Sequence, residues 1–158
     1  MIYRYGVEKV SRKIAANIVK SREEKPIETT FELVDIIKAS MPQRAMRDSH
    51  PARKTFQAIR IEVNAELDVL KSTLEDAFEI LAPGGRIAVI TFHSLEDRIV
   101  KEQFSKWCQG CTCPKEFPVC VCGNKPKGKS FKSISPSKEE LDENPRARSS
   151  RLRIFEKF

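Results

Sequence analysis

The sequence predicts an α/β fold, and residues 81–100 carry that prediction. A Pro-Gly-Gly turn at 83–85 ends a preceding helix, because proline lacks a backbone donor and glycine tolerates positive φ. Residues 86–92 are apolar and rich in β-branched side chains, which is typical of a strand buried on both faces in a parallel sheet. A helix follows, with Ser94 and Asp97 as its expected capping pair. Helix, turn, strand and helix in succession make one α/β unit.

The remaining elements follow from apolar periodicity and turn residues. Helices are predicted at residues 8–20, 29–41, 53–64 and 66–81, and the first two are expected to pair as a small unit. In the third helix, Phe56, Ile59 and Val63 share the apolar face. Loops are predicted at residues 41–51 and 123–133, an extended piece at Ile134, a one-turn helix capped by Ser137, and a last strand at residues 151–158.

Length and composition favour a globular protein. The chain has 158 residues, of which 40% are hydrophobic, and it contains no apolar run of membrane-spanning length. Its first residues lack an apolar signal region, so a cytoplasmic protein is expected. The net charge of +7 is uneven, since residues 108–158 hold 11 Lys and Arg against 6 Asp and Glu. Such a basic tail indicates a polyanionic partner, most often nucleic acid, or serves solubility alone.

All five cysteines lie between residues 108 and 122. They are Cys108, Cys111, Cys113, Cys120 and Cys122, in the pattern C-x2-C-x-C-x6-C-x-C. An odd count in a chain without an export signal argues against a disulfide framework. Four thiolates at this spacing can surround one Zn²⁺, leaving one cysteine over. Free thiols, or a disulfide formed after purification, are the competing interpretations.

Three long motifs resemble one family. They are His-Pro-Ala-Arg-Lys-Thr-Phe-Gln-Ala-Ile-Arg-Ile-Glu-Val-Asn at 50–64, Phe-His-Ser-Leu-Glu-Asp-Arg-Ile-Val-Lys at 92–101 and Asn-Pro-Arg-Ala-Arg-Ser at 144–149, with Tyr-Arg-Tyr-Gly near the start. In this order they resemble the S-adenosylmethionine-dependent 16S ribosomal RNA cytosine-N4-methyltransferases of the RsmH/MraW family. The resemblance implies the carboxyl-terminal part of a class I, Rossmann-like methyltransferase sheet, with a small helical insertion. Residues 1–50 would be the insertion subdomain and 51–158 the methyltransferase part.

The resemblance also implies that family members carry about as many residues again before this chain begins. Gly6 is the only glycine before Gly84, so the glycine-rich turn that would hold the cofactor is not present. We therefore expect a carboxyl-terminal half that does not bind S-adenosylmethionine alone and is inactive alone. Its implied partner is 16S ribosomal RNA in the small subunit. A sheet left open at its edge is expected to self-associate as a dimer or larger assembly.

Two histidines are candidate site residues. His93 and Ser94 follow the strand at its carboxyl end, where open α/β sheets bind ligands. His93 either lines the pocket where base and cofactor meet or is a strand-end residue bonded to backbone. His50, before Pro51, is a candidate RNA contact.

Basic residues supply the other RNA-binding candidates, which are Arg53, Lys54, Arg60, Asn64, Arg146, Arg148, Arg151 and Arg153. The first four lie around one helix. The alternative interpretation is that they form a solvent-exposed polar face that does not contact RNA. In the same helix Phe56 and Gln57 could approach a flipped base, although a core role suits Phe56 as well. The last four are guanidinium groups suited to bidentate phosphate contact, or ion pairs of an edge strand.

Two functions remain open from the sequence. One is the carboxyl-terminal half of an RNA methyltransferase, which supplies RNA-contacting and scaffold parts. The other is a stand-alone RNA-binding or assembly module with a cysteine-bound structural metal.

Overall fold

The computed structural model describes residues 1–6, 10–42, 50–114 and 119–158. In these ranges the helices are α1 (Ile2–Gly6), α2 (Ser11–Glu24), α3 (Thr30–Ser40), α4 (Arg53–Val63), α5 (Glu66–Ile80), α6 (Ser94–Cys108) and α7 (Lys138–Glu143). The strands are β1 (Arg86–Thr91), β2 (Gly128–Ser130) and β3 (Arg151–Lys157), and a 3-10 helix covers Pro145–Ser149. The chain forms two compact units, Met1–Glu66 and Leu67–Phe158. The predicted functional division at residue 50 stays a prediction.

The first unit confirms the predicted pair of helices. Ile14 of α2 and Ile37 of α3 are fully buried in one apolar cluster. Thr29 caps α3 and exchanges hydrogen bonds with Glu32, the two arms of a capping box. Helix α2 runs on to Glu24, beyond its predicted end, and the predicted start at residue 8 lies outside the described residues, as does most of the predicted loop at 41–51.

Helix α4 turns a different face inward from the one that the sequence predicts. The buried residues are Thr55, Ala58 and Ile61, whereas Phe56 and Ile59 are half-buried and Val63 is exposed. Two of the three inward side chains, Thr55 and Ala58, are small, and α1 packs closely there, with the Gly6 backbone beside Lys54 and Ala58. Close helix approach outweighs side-chain size in this position.

In the second unit the three strands form an antiparallel sheet in the order β1-β3-β2. Arg86 pairs with Glu156 and Thr91 with Arg151, so the start of β3 lies beside the end of β1. The prediction of a parallel strand buried on both faces is therefore wrong for this sheet. Burial alternates along β1, and Ile90 keeps 61% of its surface exposed. The apolar run has one packed face and one open face.

Helices α5 and α6 supply the core on the packed face of the sheet. The buried cluster consists of Leu74, Phe78, Val100, Phe104, Trp107 and Phe155. Phe155, in the central strand, is completely buried and touches aromatic rings from both helices. The helical periodicity that predicts α5 and α6 is thus the periodicity of this core.

Three local details differ from the sequence prediction. The predicted loop at 123–133 contains β2, which is held by pairing with β3. A 3-10 helix, which was not predicted from the sequence, precedes β3, and Ala147 is buried within it. The cap of α6 is His93 with Glu96, one residue earlier than the predicted pair of Ser94 and Asp97. Among the described residues, none of the helices has the length and apolarity needed to cross a membrane.

Candidate functional site

The carboxyl end of β1 is built by the cap of helix α6. His93 Nδ1 accepts a hydrogen bond from the Glu96 amide at 3.3 Å. In return, Glu96 Oε2 accepts from the Phe92 amide at 2.8 Å and from the His93 amide at 3.2 Å. This reciprocal box satisfies backbone donors that the helix start would otherwise leave without partners. It fixes the path of the chain from strand into helix.

This cap decides what the His93 ring can do. Because Nδ1 accepts an amide hydrogen, the neutral ring carries its proton on Nε2. Nε2 lies 3.2 Å from Glu96 Oε1, without the direction that a hydrogen bond requires. The ring is mostly buried, whereas Ser94 and Phe92 on either side are exposed. His93 is thus bonded to backbone, as one of its two sequence interpretations expects, and its place in a pocket stays a prediction.

Behind the cap, Asp97 and Arg153 tie α6 to the central strand. Arg153 Nε donates to Asp97 Oδ1 at 2.7 Å, and its terminal nitrogen donates to Oδ2 at 2.9 Å. The arginine lowers the pKa of Asp97 through these hydrogen bonds, and the carboxylate raises the pKa of Arg153. Since the pKa of Asp97 is lowered on folding, the pair stabilises the fold above the ordinary carboxyl pKa, and that contribution disappears as pH falls through the lowered value. Arg153 is therefore a structural ion-pair partner.

The other three arginines of the tail are exposed at the start of β3 and on the 3-10 helix directly before it. Arg146 and Arg148 flank the buried Ala147 on the 3-10 helix that leads into β3. Arg151 begins β3, and its carbonyl accepts a hydrogen bond from Thr91 at 3.3 Å. Among the described residues none of these three guanidinium groups pairs with a carboxylate. Together they form what we term the arginine group.

The candidates of the first unit divide into two sets. His50, Arg53 and Lys54 are exposed at the start of α4. Arg60 donates to both Glu66 carboxylate oxygens, at 2.7 and 2.9 Å, and the Asn64 side chain donates to the same carboxylate at 3.2 Å. Arg60 and Asn64 therefore stabilise the turn between α4 and α5.

Two further residues of α4 have a packed environment. Phe56 packs against the apolar cluster of the first unit, which is the core role that the sequence allows for it. Gln57 is half-buried. Neither side chain is freely exposed for stacking on a base.

Four of the five cysteines converge in what we term the cysteine cluster. Its members are Cys111, Cys113, Cys120 and Cys122, and their sulfur atoms all lie within 4.8 Å of one another. Cys108 is separate, because it ends α6 and packs against the core of the second unit. Burial raises the pKa of the Cys108 thiol, against the opposing effect of the Ser130 amide.

Backbone amides act on the thiols of the cysteine cluster. The amides of Thr112 and Asn124 donate to Cys122 and lower its pKa to about 5. The Cys113 amide likewise favours the Cys111 thiolate, but hydrogen bonds with the other thiols of the cluster raise the pKa of Cys111 to about 11. Cys122 is therefore the first thiol of the cluster to lose its proton as pH rises.

A model of the MraW methylase family matches residues 1–158, which is the whole chain. The chain belongs to this family. The resemblance found in the three sequence motifs is thereby confirmed, and so is an α/β fold that forms part of a Rossmann-like methyltransferase. The parts of the chain described above belong to the region that the family shares.

Curated relatives are named ribosomal RNA small subunit methyltransferase H. That of Acetivibrio thermocellus is 58% identical over 154 residues, which are 96% of this chain and 49% of the relative. The relative from Ruminiclostridium cellulolyticum is 54% identical over 98% of this chain and 50% of its own length. That of Brevibacillus brevis is 55% identical over 100% of this chain and 51% of its own length. The chain spans about half the length of the curated relatives it matches.

Sequence reasoning did not select Phe92 as a candidate site residue. Its ring is 57% exposed, directly after β1 and beside the cap of α6. The available signal was its place at the end of an apolar run, which is equally typical of a core residue. Only the alternation of burial along β1 shows that this ring faces solvent.

Proposed function

We propose that this chain is the carboxyl-terminal, RNA-facing and scaffold part of an S-adenosylmethionine-dependent 16S ribosomal RNA cytosine-N4-methyltransferase of the cytoplasm. The family match and the names of the relatives support the reaction class. The observation that carries the RNA-facing role is the arginine group, three exposed guanidinium groups at the start of β3 and on the 3-10 helix before it, where Arg151 lies beside the carboxyl end of β1. Guanidinium groups without carboxylate partners are suited to phosphate oxygens.

Further contacts fit the same role. Phe92 offers an exposed aromatic ring on which a base that has left its stack could lie. Ser94 presents an exposed hydroxyl at the first position of α6. In the first unit His50, Arg53 and Lys54 provide a second exposed basic group. We leave Arg60, Asn64 and Arg153 out of the proposed contacts, because each is bonded to a carboxylate of the chain itself.

Methyl transfer to the cytosine amino group does not need a strong base in the active site. In N4 methylation the cytosine nitrogen forms a bond to the methyl carbon, the carbon–sulfur bond of the sulfonium breaks, and a proton leaves the nitrogen. S-adenosylhomocysteine is the second product. Alignment of the two reactants supplies most of the catalysis in such a transfer. His93, whose Nδ1 is occupied by the Glu96 amide, contributes a fixed strand end to that alignment and does not take the proton at Nδ1.

These 158 residues are not expected to bind S-adenosylmethionine alone. The chain has no glycine-rich strand-to-helix turn before Gly84, and such turns hold nucleotide-like cofactors in this class of fold. In calorimetric titration with ligand up to the millimolar range, we expect no saturable heat. A gel mobility shift with 16S ribosomal RNA should in contrast show binding that weakens steeply with salt.

Each arm of this experiment has a contrary result. Saturable one-to-one binding of S-adenosylmethionine would show that these residues form a cofactor site, and the half-enzyme proposal would be wrong. Absence of an RNA shift at low salt would remove the RNA-facing role. Methyl transfer that appears on adding the other half of a relative would support the proposal against the alternative.

The alternative is a stand-alone RNA-binding or assembly module with a cysteine-bound structural metal. The cysteine cluster and the arginine group favour it, since neither needs a cofactor site nearby. Under this alternative RNA binding persists, and no methyl transfer appears when the other half of a relative is added. The two functions therefore differ in one complementation assay.

We also propose that a second copy of the chain pairs with the outer edge of β1. Among the described residues this edge has no neighbouring strand, and Ile90 and Phe92 are exposed along it. Unpaired strand edges with apolar side chains favour association. Light scattering at rising protein concentration should show a dimer or larger species.

The matched variants place one charge at two exposed isoleucines. Ile90→Lys should shift the protein toward monomer, because the charge lies on the pairing strand. Ile80→Lys, at the end of α5, should leave association unchanged. A wild-type protein that stays monomeric at high concentration would contradict the pairing.

A further inference from the structure

The cysteine cluster has the dimensions of a tetrahedral metal site. Cys111 Sγ lies 3.3 Å from Cys120 Sγ, and Cys122 Sγ lies 3.6 Å from Cys120 Sγ and 3.7 Å from Cys111 Sγ. Zinc–thiolate bonds of roughly 2.3 Å in a tetrahedron place neighbouring sulfurs about 3.8 Å apart. Sulfur atoms from both sides of the loop thus lie close enough to one another to bind a single ion, with all four, including that of Cys113, within 4.8 Å.

The backbone around the sulfurs supports thiolates. The amides of Thr112 and Asn124 donate to Cys122 Sγ at 3.4 and 3.5 Å. The amide of Cys113 donates to Cys111 Sγ at 3.4 Å, and that of Val121 donates to Cys113 Sγ at 3.4 Å. Outer donors of this kind orient the ligands of a metal and stabilise their negative charge.

One glycine makes this arrangement possible on the second side of the loop. Gly123 follows Cys122 with φ +63°, a left-handed conformation that favours glycine. The turn directs the Asn124 amide back to Cys122 Sγ. The Asn124 side chain also donates to the Gly110 carbonyl at 2.8 Å, which ties the two sides of the loop together.

The described residues of the loop have little apolar packing of their own. Val119 and Val121 expose 69% and 73% of their surfaces, and three of the four clustered cysteines are exposed. The base of the loop is closed by one backbone hydrogen bond of 2.7 Å, from the Lys127 amide to the Trp107 carbonyl. Where a segment cannot bury apolar surface, a bound metal supplies the energy that orders it.

We propose that the cysteine cluster binds one Zn²⁺ in a closed structural site. The ligands are Cys111, Cys113, Cys120 and Cys122. Binding forms four zinc–sulfur bonds, releases the protons of those ligands that are still thiols, and changes no oxidation state. Cys108 is not a ligand, because it lies at the end of α6 against the core of the second unit. The site fixes the segment between α6 and β2, independently of whether the chain acts in methyl transfer.

The test is the zinc content of chain purified without chelator under reducing conditions. The five cysteines are replaced one at a time by serine, and each protein is analysed by mass spectrometry for bound metal. Wild type and Cys108→Ser should each hold about one equivalent of zinc, whereas each variant of the cluster should hold at least about tenfold less. Cys108→Ser is the matched control, since it removes a thiol of the same segment.

A second measurement covers variants that fold poorly. Co²⁺ added to metal-free wild-type protein should produce the visible absorption of tetrahedral cobalt thiolates, and Zn²⁺ should displace it. Wild-type zinc below about 0.1 equivalent, with free thiols or with disulfides by mass, would overturn the proposal. Iron in place of zinc, or loss of zinc from a folded Cys108→Ser protein, would overturn it equally.

Discussion

Replacing Phe155 by alanine should lower the free energy of unfolding by about 3–5 kcal/mol, the range typical of a large aromatic removed from a core. The side chain is fully buried, and its ring centroid lies 5.0 Å from that of Trp107, 5.5 Å from Phe104 and 6.0 Å from Phe78. Alanine leaves a cavity between the central strand and both covering helices. Denaturant titration followed by Trp107 fluorescence measures the loss directly, because Trp107 is the only tryptophan.

The matched control is Phe158→Ala. Phe158 comes directly after the same strand, but 62% of its side chain is exposed. Its replacement should change the unfolding free energy by less than about 0.5 kcal/mol. If both variants lose the same amount, or if Phe155→Ala loses less than about 1 kcal/mol, the sheet and its two helices do not share one core.

This core is also the part of the fold that the sequence predicts best. Leu74 and Phe78 recur at helical spacing in α5, and Val100 and Phe104 do so in α6. A periodic apolar stripe depends only on residues near one another along the chain, so it can be predicted from the sequence without knowledge of the tertiary structure. The Pro-Gly-Gly turn, in which Gly84 has φ +80°, is legible for the same reason.

The pairing of the strands could not be predicted from the sequence. β1 and β3 are separated by about 60 residues of chain, and nothing in residues 86–92 states which strand lies beside them. An apolar run suits a doubly covered parallel strand and a singly covered antiparallel one alike. β2 has the sequence Gly-Lys-Ser, which has no strand propensity; its pairing with β3 makes it a strand.

The cap of α6 shows how close alternatives escape prediction. Acidic residues stand three positions after both His93 and Ser94, so two overlapping capping boxes are present in the sequence. Serine is the preferred cap by residue type. The structure uses His93, which leaves Asp97 available for the ion pair with Arg153. The choice of cap residue at the start of α6 is therefore linked to the ion pair between Asp97 and Arg153, which are 56 residues apart in sequence.

Candidate arginines were easy to find and hard to separate. A cluster of charged residues can be recognised in the sequence alone, as the four arginines between residues 146 and 153 are. Whether each one is free depends on carboxylates supplied by other elements. Arg153 is paired with Asp97 of α6, whereas Arg146 and Arg148 extend from either side of a buried alanine.

The difference between arginines with and without a carboxylate partner leads to a second prediction, on RNA binding. Replacing the arginine group, Arg146, Arg148 and Arg151, by alanine should strongly weaken binding of 16S ribosomal RNA. If each arginine neutralises one phosphate, the slope of log affinity against log salt should fall by about 2–3. Fluorescence anisotropy with labelled RNA, repeated at several salt concentrations, measures both the affinity and the slope.

The matched control removes the same charge elsewhere. Arg12, Lys13 and Lys20 are exposed on α2, and their replacement by alanine also lowers the net charge by three. If the arginine group contacts phosphates, this control keeps most of the slope. Equal loss in both triple variants would mean that RNA responds only to overall charge, and the arginine group would have no special role.

Lysine at the same three positions separates charge from geometry. Lysine keeps the positive charge but lacks the planar pair of donors that matches two phosphate oxygens. Bidentate contact therefore predicts that the lysine variant regains the salt slope and recovers affinity only in part. Full recovery would indicate simple charge neutralisation, whereas no recovery would indicate that the arginines support the fold of the strand end. The exposure of all three side chains, and the absence of carboxylate partners for them among the described residues, favours partial recovery.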